Sequence, residues 1–109
     1  MTTTSTTFWD ELAIQAYKKL LEKSPHIAFL HNNLALAYMR MNFDNKAIRS
    51  LQKAIQCDKD FLDAYYHLGN LYQKQKKYIQ ATRCFKTYNN IMAKTIPIKG
   101  GRKFPCIIK

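Results

Sequence analysis

A chain of 109 residues with 47% hydrophobic and 13% aromatic content has material for one domain with a single modest core, which excludes a wholly disordered protein. Its net charge of +11 is unevenly spread: residues 1–63 hold eight Lys/Arg against seven Asp/Glu, whereas residues 64–109 hold ten Lys/Arg and no acid, a bias that suits an acidic partner. Three cysteines without a CxxC pair exclude a disulfide framework and a cysteine zinc site, and no valine is present, which counts against a sheet protein.

Taken from the N-terminus, MTTTSTTFWDE has neither a basic region nor an apolar stretch of the kind that leads secretion, so an unsecreted protein is expected, with residues 1–7 as a flexible Thr-rich segment. Thr7 with Asp10 three residues later reads as a capping box for a first helix over about 8–23. Ser24 and Pro25 fit the N-cap and first position of a second helix that ends near Met41. Asn42 is placed to cap a third, about 43–57, and Asp60 with Asp63 to open a fourth. Residues 61–75 and 78–92 carry apolar side chains three and four apart, such as Leu68, Leu71 and Tyr72, then Tyr78, Ala81 and Phe85. That is the period of amphipathic helices, folded back on one another through Gln75-Lys76-Lys77. After Met92, Pro97, Gly100, Gly101 and Pro105 interrupt any helix, leaving a basic irregular tail over 94–109.

The longest apolar run, Leu34 to Met39, is far too short for the ~20 residues of a membrane span. The expected setting is cytoplasmic, or another reducing internal compartment such as a plastid stroma.

Shifting the chain against itself by the interval between Leu34 and Leu68 aligns Leu34, Ala35, Tyr38, Ala47 and Leu51 with Leu68, Gly69, Tyr72, Ala81 and Phe85. Ala13, Tyr17 and Leu20 precede Ala47, Leu51 and Ala54 by the same interval. A fixed period of this length is the mark of stacked repeats. Gly69 and Ala81 are expected to let two helix backbones approach, with Phe85 and Tyr72 filling the space beyond.

These residues resemble the tetratricopeptide repeat (TPR) family. Its pattern stands here as Tyr65-x2-Leu68-Gly69-x2-Tyr72 and Ala81-x3-Phe85. In the upstream copy His31 replaces the first aromatic, Ala35 the glycine, Leu51 the second aromatic and Lys59 the proline, while the half-unit before it keeps that proline as Pro25. The resemblance implies an all-α, right-handed α-solenoid of antiparallel helix pairs. It has about two and a half units and five helices: a half unit over 8–25, repeats over 28–61 and 62–93, and the basic tail. It further implies a non-catalytic scaffold, adaptor or assembly factor whose concave groove takes a protein or peptide partner. Carried over position by position, the groove is lined by Phe29, Asn32, Asn33, Leu36, Met39 and Arg40. The second repeat adds Asp63, Tyr66, His67, Asn70, Gln73 and Lys74. Arg40 and Lys74 would meet a partner's carboxylate. The subtype that clamps chaperone C-termini is not expected, because Tyr66 stands where its first lysine belongs before Asn70.

About three repeats with polar caps are commonly needed in such stacks. Cys84, Tyr88 and Ile91 on the last helix therefore need a cover, either Ile96, Ile98 and Phe104 of the tail or another chain, self-association included. A competing reading is a basic nucleic-acid or anionic-surface binder built from Lys74, Lys76, Lys77, Arg83, Lys86, Lys99, Arg102 and Lys103, with Tyr72 and Tyr78 near enough to stack. Those tyrosines occupy core positions of the repeat, which counts against it. The Lys99-Gly100-Gly101-Arg102-Lys103 run lacks phosphate-loop spacing, and Cys106-Ile107-Ile108-Lys109 ends in a residue foreign to prenylation boxes. His26, His31 and His67 share no metal-ligand spacing, so no metal, cofactor or catalytic group is expected.

Overall fold

The computed structural model describes residues 2–95, with side chains over 8–94. Five helices follow one another: α1 (Thr2–Lys23), α2 (Ala28–Arg40), α3 (Asp44–Cys57), α4 (Leu62–Lys74) and α5 (Tyr78–Thr95). No strand occurs among the described residues. The tightest packing is within the hairpins α2–α3 and α4–α5, and α1 on α2 and α3 on α4 join them into a stack in which elements meet mainly their chain neighbours.

Small residues permit this stacking. Ala35, Ala37, Ala47, Ala54 and Ala64 are wholly buried, and Leu51 is the largest side chain fully removed from solvent. In α3 the buried positions Ala47, Ser50, Leu51 and Ala54 recur at three and four residues, which turns one stripe of the helix to the core. Ile14, Leu34, Tyr38, Leu68, Leu71 and Cys84 continue the same cluster across α1, α2, α4 and α5. Each aliphatic side chain so buried contributes about 1.5–3 kcal/mol.

Gly69 has a specific steric reason. A Cβ there would lie 2.6 Å from Cε1 and 2.7 Å from Cζ of Phe85. The space that glycine leaves is thus occupied by the aromatic ring, where the sequence suggested backbone approach near Ala81.

The turns correct several expected caps. Asn42 does not open α3; it has φ 62° and closes α2. The Asn42 N–H bonds Met39 O at 3.0 Å and the Phe43 N–H bonds Tyr38 O at 2.9 Å, while the Tyr38 and Phe43 rings meet at 6.4 Å. This is a Schellman motif with its apolar contact, and asparagine suits its left-handed position. One repeat on, Lys76 has φ 63°, with Lys76 N–H to Gln73 O at 2.9 Å and Lys77 N–H to Tyr72 O at 2.8 Å. Thr7 lies inside α1, which runs from Thr2, so it does not mark the start of that helix. Ser24 and Pro25 lie in the turn before α2, whose N-cap is Ile27. Asp60 binds locally, its N–H donating to Asp58 Oδ1 at 3.0 Å, and Phe61 is the N-cap of α4. Asp63 does stand in the first turn of α4. The tail, with Lys99, Arg102, Lys103, the double glycine, Cys106 and the expected cover from Ile96, Ile98 and Phe104, lies outside the described residues.

Candidate peptide-binding face

The residues expected to line a groove come from α2 and from α4, which stands one repeat later in the chain. Phe29 is 58% exposed and Tyr66 48% exposed. Asn33, Leu36 and Met39 on α2, and His67 and Asn70 on α4, are partly exposed, while Asp63 and Gln73 are open to solvent. Asn32 departs from the expectation: it is 3% exposed, and its Oδ1 is buried with no hydrogen-bond partner. Its counterpart Tyr66 instead stands with its ring 5.9 Å from Tyr88 of α5 and 5.4 Å from His67. Tyr88, expected on an outer face, thus meets the candidate groove.

Arg40 and Lys74 are already engaged within the chain. Arg40 Nε donates to Asp10 Oδ1 at 2.7 Å, and Lys74 Nζ lies 3.0 Å from Asp44 Oδ2. Both pairs tie the end of one helix to an acid on the helix before it. The acids are the more buried partners, with side chains 7% and 20% exposed. Asp10 Oδ2 and Asp44 Oδ1 have no hydrogen-bond partner, so the cation is the main compensation for the buried Asp10 carboxylate, while the half-buried Asp44 also stands in the first turn of α3, where the helix N-terminus favours its charge. Asp10 is therefore an interhelix anchor and no capping residue. The sequence did carry the signal: Asp10 and Asp44, like Arg40 and Lys74, are separated by one repeat interval.

A second periodic pair was also missed. His31 Nε2 lies 3.0 Å from Pro25 O, and the Tyr65 hydroxyl donates to Lys59 O at 2.8 Å. These are one bond in two copies, made by a donor on the first helix of each hairpin to a carbonyl in the turn before it. Neighbouring residues link α3 to α4 as well, with Gln52 Nε2 donating to Tyr72 Oη at 3.2 Å and Gln75 Nε2 to Asn45 Oδ1 at 3.1 Å.

Burial shifts three groups. It lowers the His67 pKa below the ordinary histidine value, with Asp63 opposing, so the ring favours its neutral form. It raises the Tyr65 hydroxyl, with Asp60 adding to the effect, and it raises the Cys84 thiol, which keeps that sulfur protonated and unreactive.

Of the basic patch, Lys76 and Lys77 are exposed in the turn before α5, and Arg83 and Lys86 are exposed on α5. Tyr72 packs against the core, as its repeat position requires. Tyr78 does not; it is 58% exposed beside the still more open Ile79. Among the described residues no group of three His, Cys, Asp or Glu could hold a metal ion, and no helix is long and apolar enough to cross a membrane.

Antiparallel helical hairpins stacked at a constant sequence interval define the class of helical-repeat solenoids. The chain belongs to the tetratricopeptide repeat family: the description "TPR repeat" matches residues 44–76 and "Tetratricopeptide repeat" matches residues 62–91. It is 34% identical over 76 residues to tetratricopeptide repeat protein 12 of Homo sapiens, a match covering 70% of this chain and 11% of that protein. The chain thus corresponds to a small part of that relative's length. Among solved structures it is similar to a MamA RS-1 ArsTM double mutant, with TM-score 0.77 and 22% identity over 81% of this chain and 49% of the other. It is also similar to the second TPR of Spaghetti (RPAP3) bound to the HSP90 peptide SRMEEVD, with TM-score 0.72 and 24% identity over 75% of this chain and 76% of the other. These likenesses show a shared fold.

Proposed function

We propose that this chain is a non-catalytic protein-interaction module, a scaffold, adaptor or assembly factor, that holds a peptide or protein segment against the surface formed by α2 and α4. The observation that carries this reading is the accessible row of Phe29, Asn33, Leu36 and Met39 on α2, matched by Tyr66, His67, Asn70 and Gln73 on α4. The opposite sides of the same two helices are buried in the core. Asparagine and glutamine bond a peptide backbone, the aromatic rings offer apolar area, and Met39 adapts to shape. A surface built on rigid helices is ordered before the partner arrives, which lowers the entropic cost of binding. The family's repeats serve such interactions, and one similar solved domain holds a peptide. Asn32 adds nothing to this surface, and Arg40 and Lys74 serve the ion pairs that join neighbouring helices.

Affinity capture from native extract, read by mass spectrometry, tests the reading. A partner retained by the wild-type chain and by Lys76→Glu with Lys77→Glu, and lost with Tyr66→Ala and Asn70→Ala, supports it, provided circular dichroism shows the helices unchanged. Retention by the groove variant, with loss on charge reversal and on rising salt, would favour the basic nucleic-acid or anionic-surface reading instead.

A further inference from the structure

A cleft of about 590 Å³ opens between α1 and α3, away from the row on α2 and α4 described above. Its floor is apolar, made by Leu21, Leu34 and Tyr38, and its walls bring together Lys18, Lys46, Arg49 and Lys53. Among the described residues the ion pairs are those of Arg40 with Asp10 and Lys74 with Asp44, so none of these four cations is neutralised by a carboxylate at ion-pair distance. Lys46 stands beside two rings, its Nζ 5.8 Å from the Tyr38 centroid and 5.2 Å from that of Phe43. Such contacts bias the exposed ammonium toward the Tyr38 side of the cleft.

The repeat itself supplies the comparison that separates scaffold from function. One repeat beyond Leu34, Tyr38 and Arg49 stand Leu68, Tyr72 and Arg83, so those positions follow the fold. Beyond Lys18, Lys46 and Lys53 stand Gln52, Gln80 and Thr87. At the second junction the cations at the corresponding positions are Arg83 and Lys59, the latter replacing Pro25. The same architecture therefore stands with neutral residues at three positions where the first junction has lysine.

We infer that this cleft is a second binding site, for an acidic protein segment that places a bulky aliphatic side chain on the Leu21–Leu34–Tyr38 floor and its flanking carboxylates on Lys18, Lys46, Arg49 and Lys53. Charge complementarity selects the acidic partner. A nucleic-acid strand fits less well, because two of the three floor residues are aliphatic and the Tyr38 ring already has Lys46 over its face, leaving no ring on which a base stacks. Glu22 in the wall also opposes a continuous run of phosphates.

The test uses the full chain and the fluorescein-labelled heptapeptide EEDLEDE. Titration into the ¹⁵N-labelled protein at physiological salt is expected to give saturable shifts of the Leu34, Tyr38 and Ser50 amides. Lys18→Gln with Lys46→Gln and Lys53→Thr, which installs the residues of the second junction, is expected to weaken binding at least fivefold. The charge-matched control Lys19→Gln with Lys59→Gln and Lys94→Gln is expected to weaken it less than twofold. The peptide EEDSEDE, lacking the aliphatic side chain, should bind more weakly than EEDLEDE. All six lysines are exposed, so both variants keep the core, and the shift map on the unaltered chain stands independently of either variant. Equal weakening by the two variants, shifts centred on Asn33 and Asn70, no saturable shift at the cleft, or tighter binding of decathymidylate than of EEDLEDE would each overturn the proposal.

Discussion

The α2–α3 and α4–α5 hairpins repeat the same positions at a constant interval, yet they fill them with different chemistry. Where the second hairpin has Gly69 against Phe85, the first has Ala35 and Leu51, both fully buried. His31 reaches the turn carbonyl that Tyr65 reaches one repeat later. Asn42 and Lys76 take the same left-handed conformation, and Arg40–Asp10 recurs as Lys74–Asp44. What the repeat preserves is a geometric task at each position. The residue type is negotiable when its partner is adjusted with it.

Each difference between the hairpins is a place to break or sharpen that comparison. Leu51→Ala should have the largest effect, about 2–5 kcal/mol of lost stability in chemical denaturation, because a fully buried side chain leaves a cavity. Arg40→Ala should come next, about 1–3 kcal/mol, since it strands the buried Asp10 carboxylate. Lys74→Ala should cost less, as Asp44 is the more accessible acid and can recover water. Gly69→Ala should cost about 1–3 kcal/mol by pressing on the Phe85 ring, reduced by the gain in helix propensity. Lys76→Asn, which copies the first hairpin's turn, should raise stability by about 0.5–1 kcal/mol, read as a shift in denaturation midpoint.

The smallest effect is one of pH. His67 stands where the first hairpin has Asn33, which cannot titrate. Its folded-state pKa is depressed, chiefly by burial, so the unfolded chain binds the proton more readily. Stability is fully present above the ordinary histidine value and declines as pH falls through the folded pKa. Denaturation curves at successive pH values should show that decline, and His67→Asn should reduce it.

The period, the five helices and most core positions were legible because packing restricts residue size at fixed intervals. The helix ends were less so. Asparagine serves both as an N-cap and as a left-handed C-terminal residue, so Asn42 read alone points either way. Asp10 after a threonine run imitates a capping box, and its true partner lies far along the chain in Arg40. For the candidate groove, periodicity identified the helices, but it did not tell that Asn32 is buried while Tyr66 at the matching position is open. The lysines around the α1–α3 cleft escaped notice because nothing in their own spacing marks them. They become visible only when two helices meet.

A double-mutant cycle on Gly69 and Phe85 tests the positional account most directly. The variant combining Gly69→Ala with Phe85→Leu reproduces the Ala35 and Leu51 pair of the first hairpin, so it should be more stable than the sum of the two single losses predicts, by about 1 kcal/mol or more. Strictly additive losses would contradict the claim that the two positions are adjusted to each other.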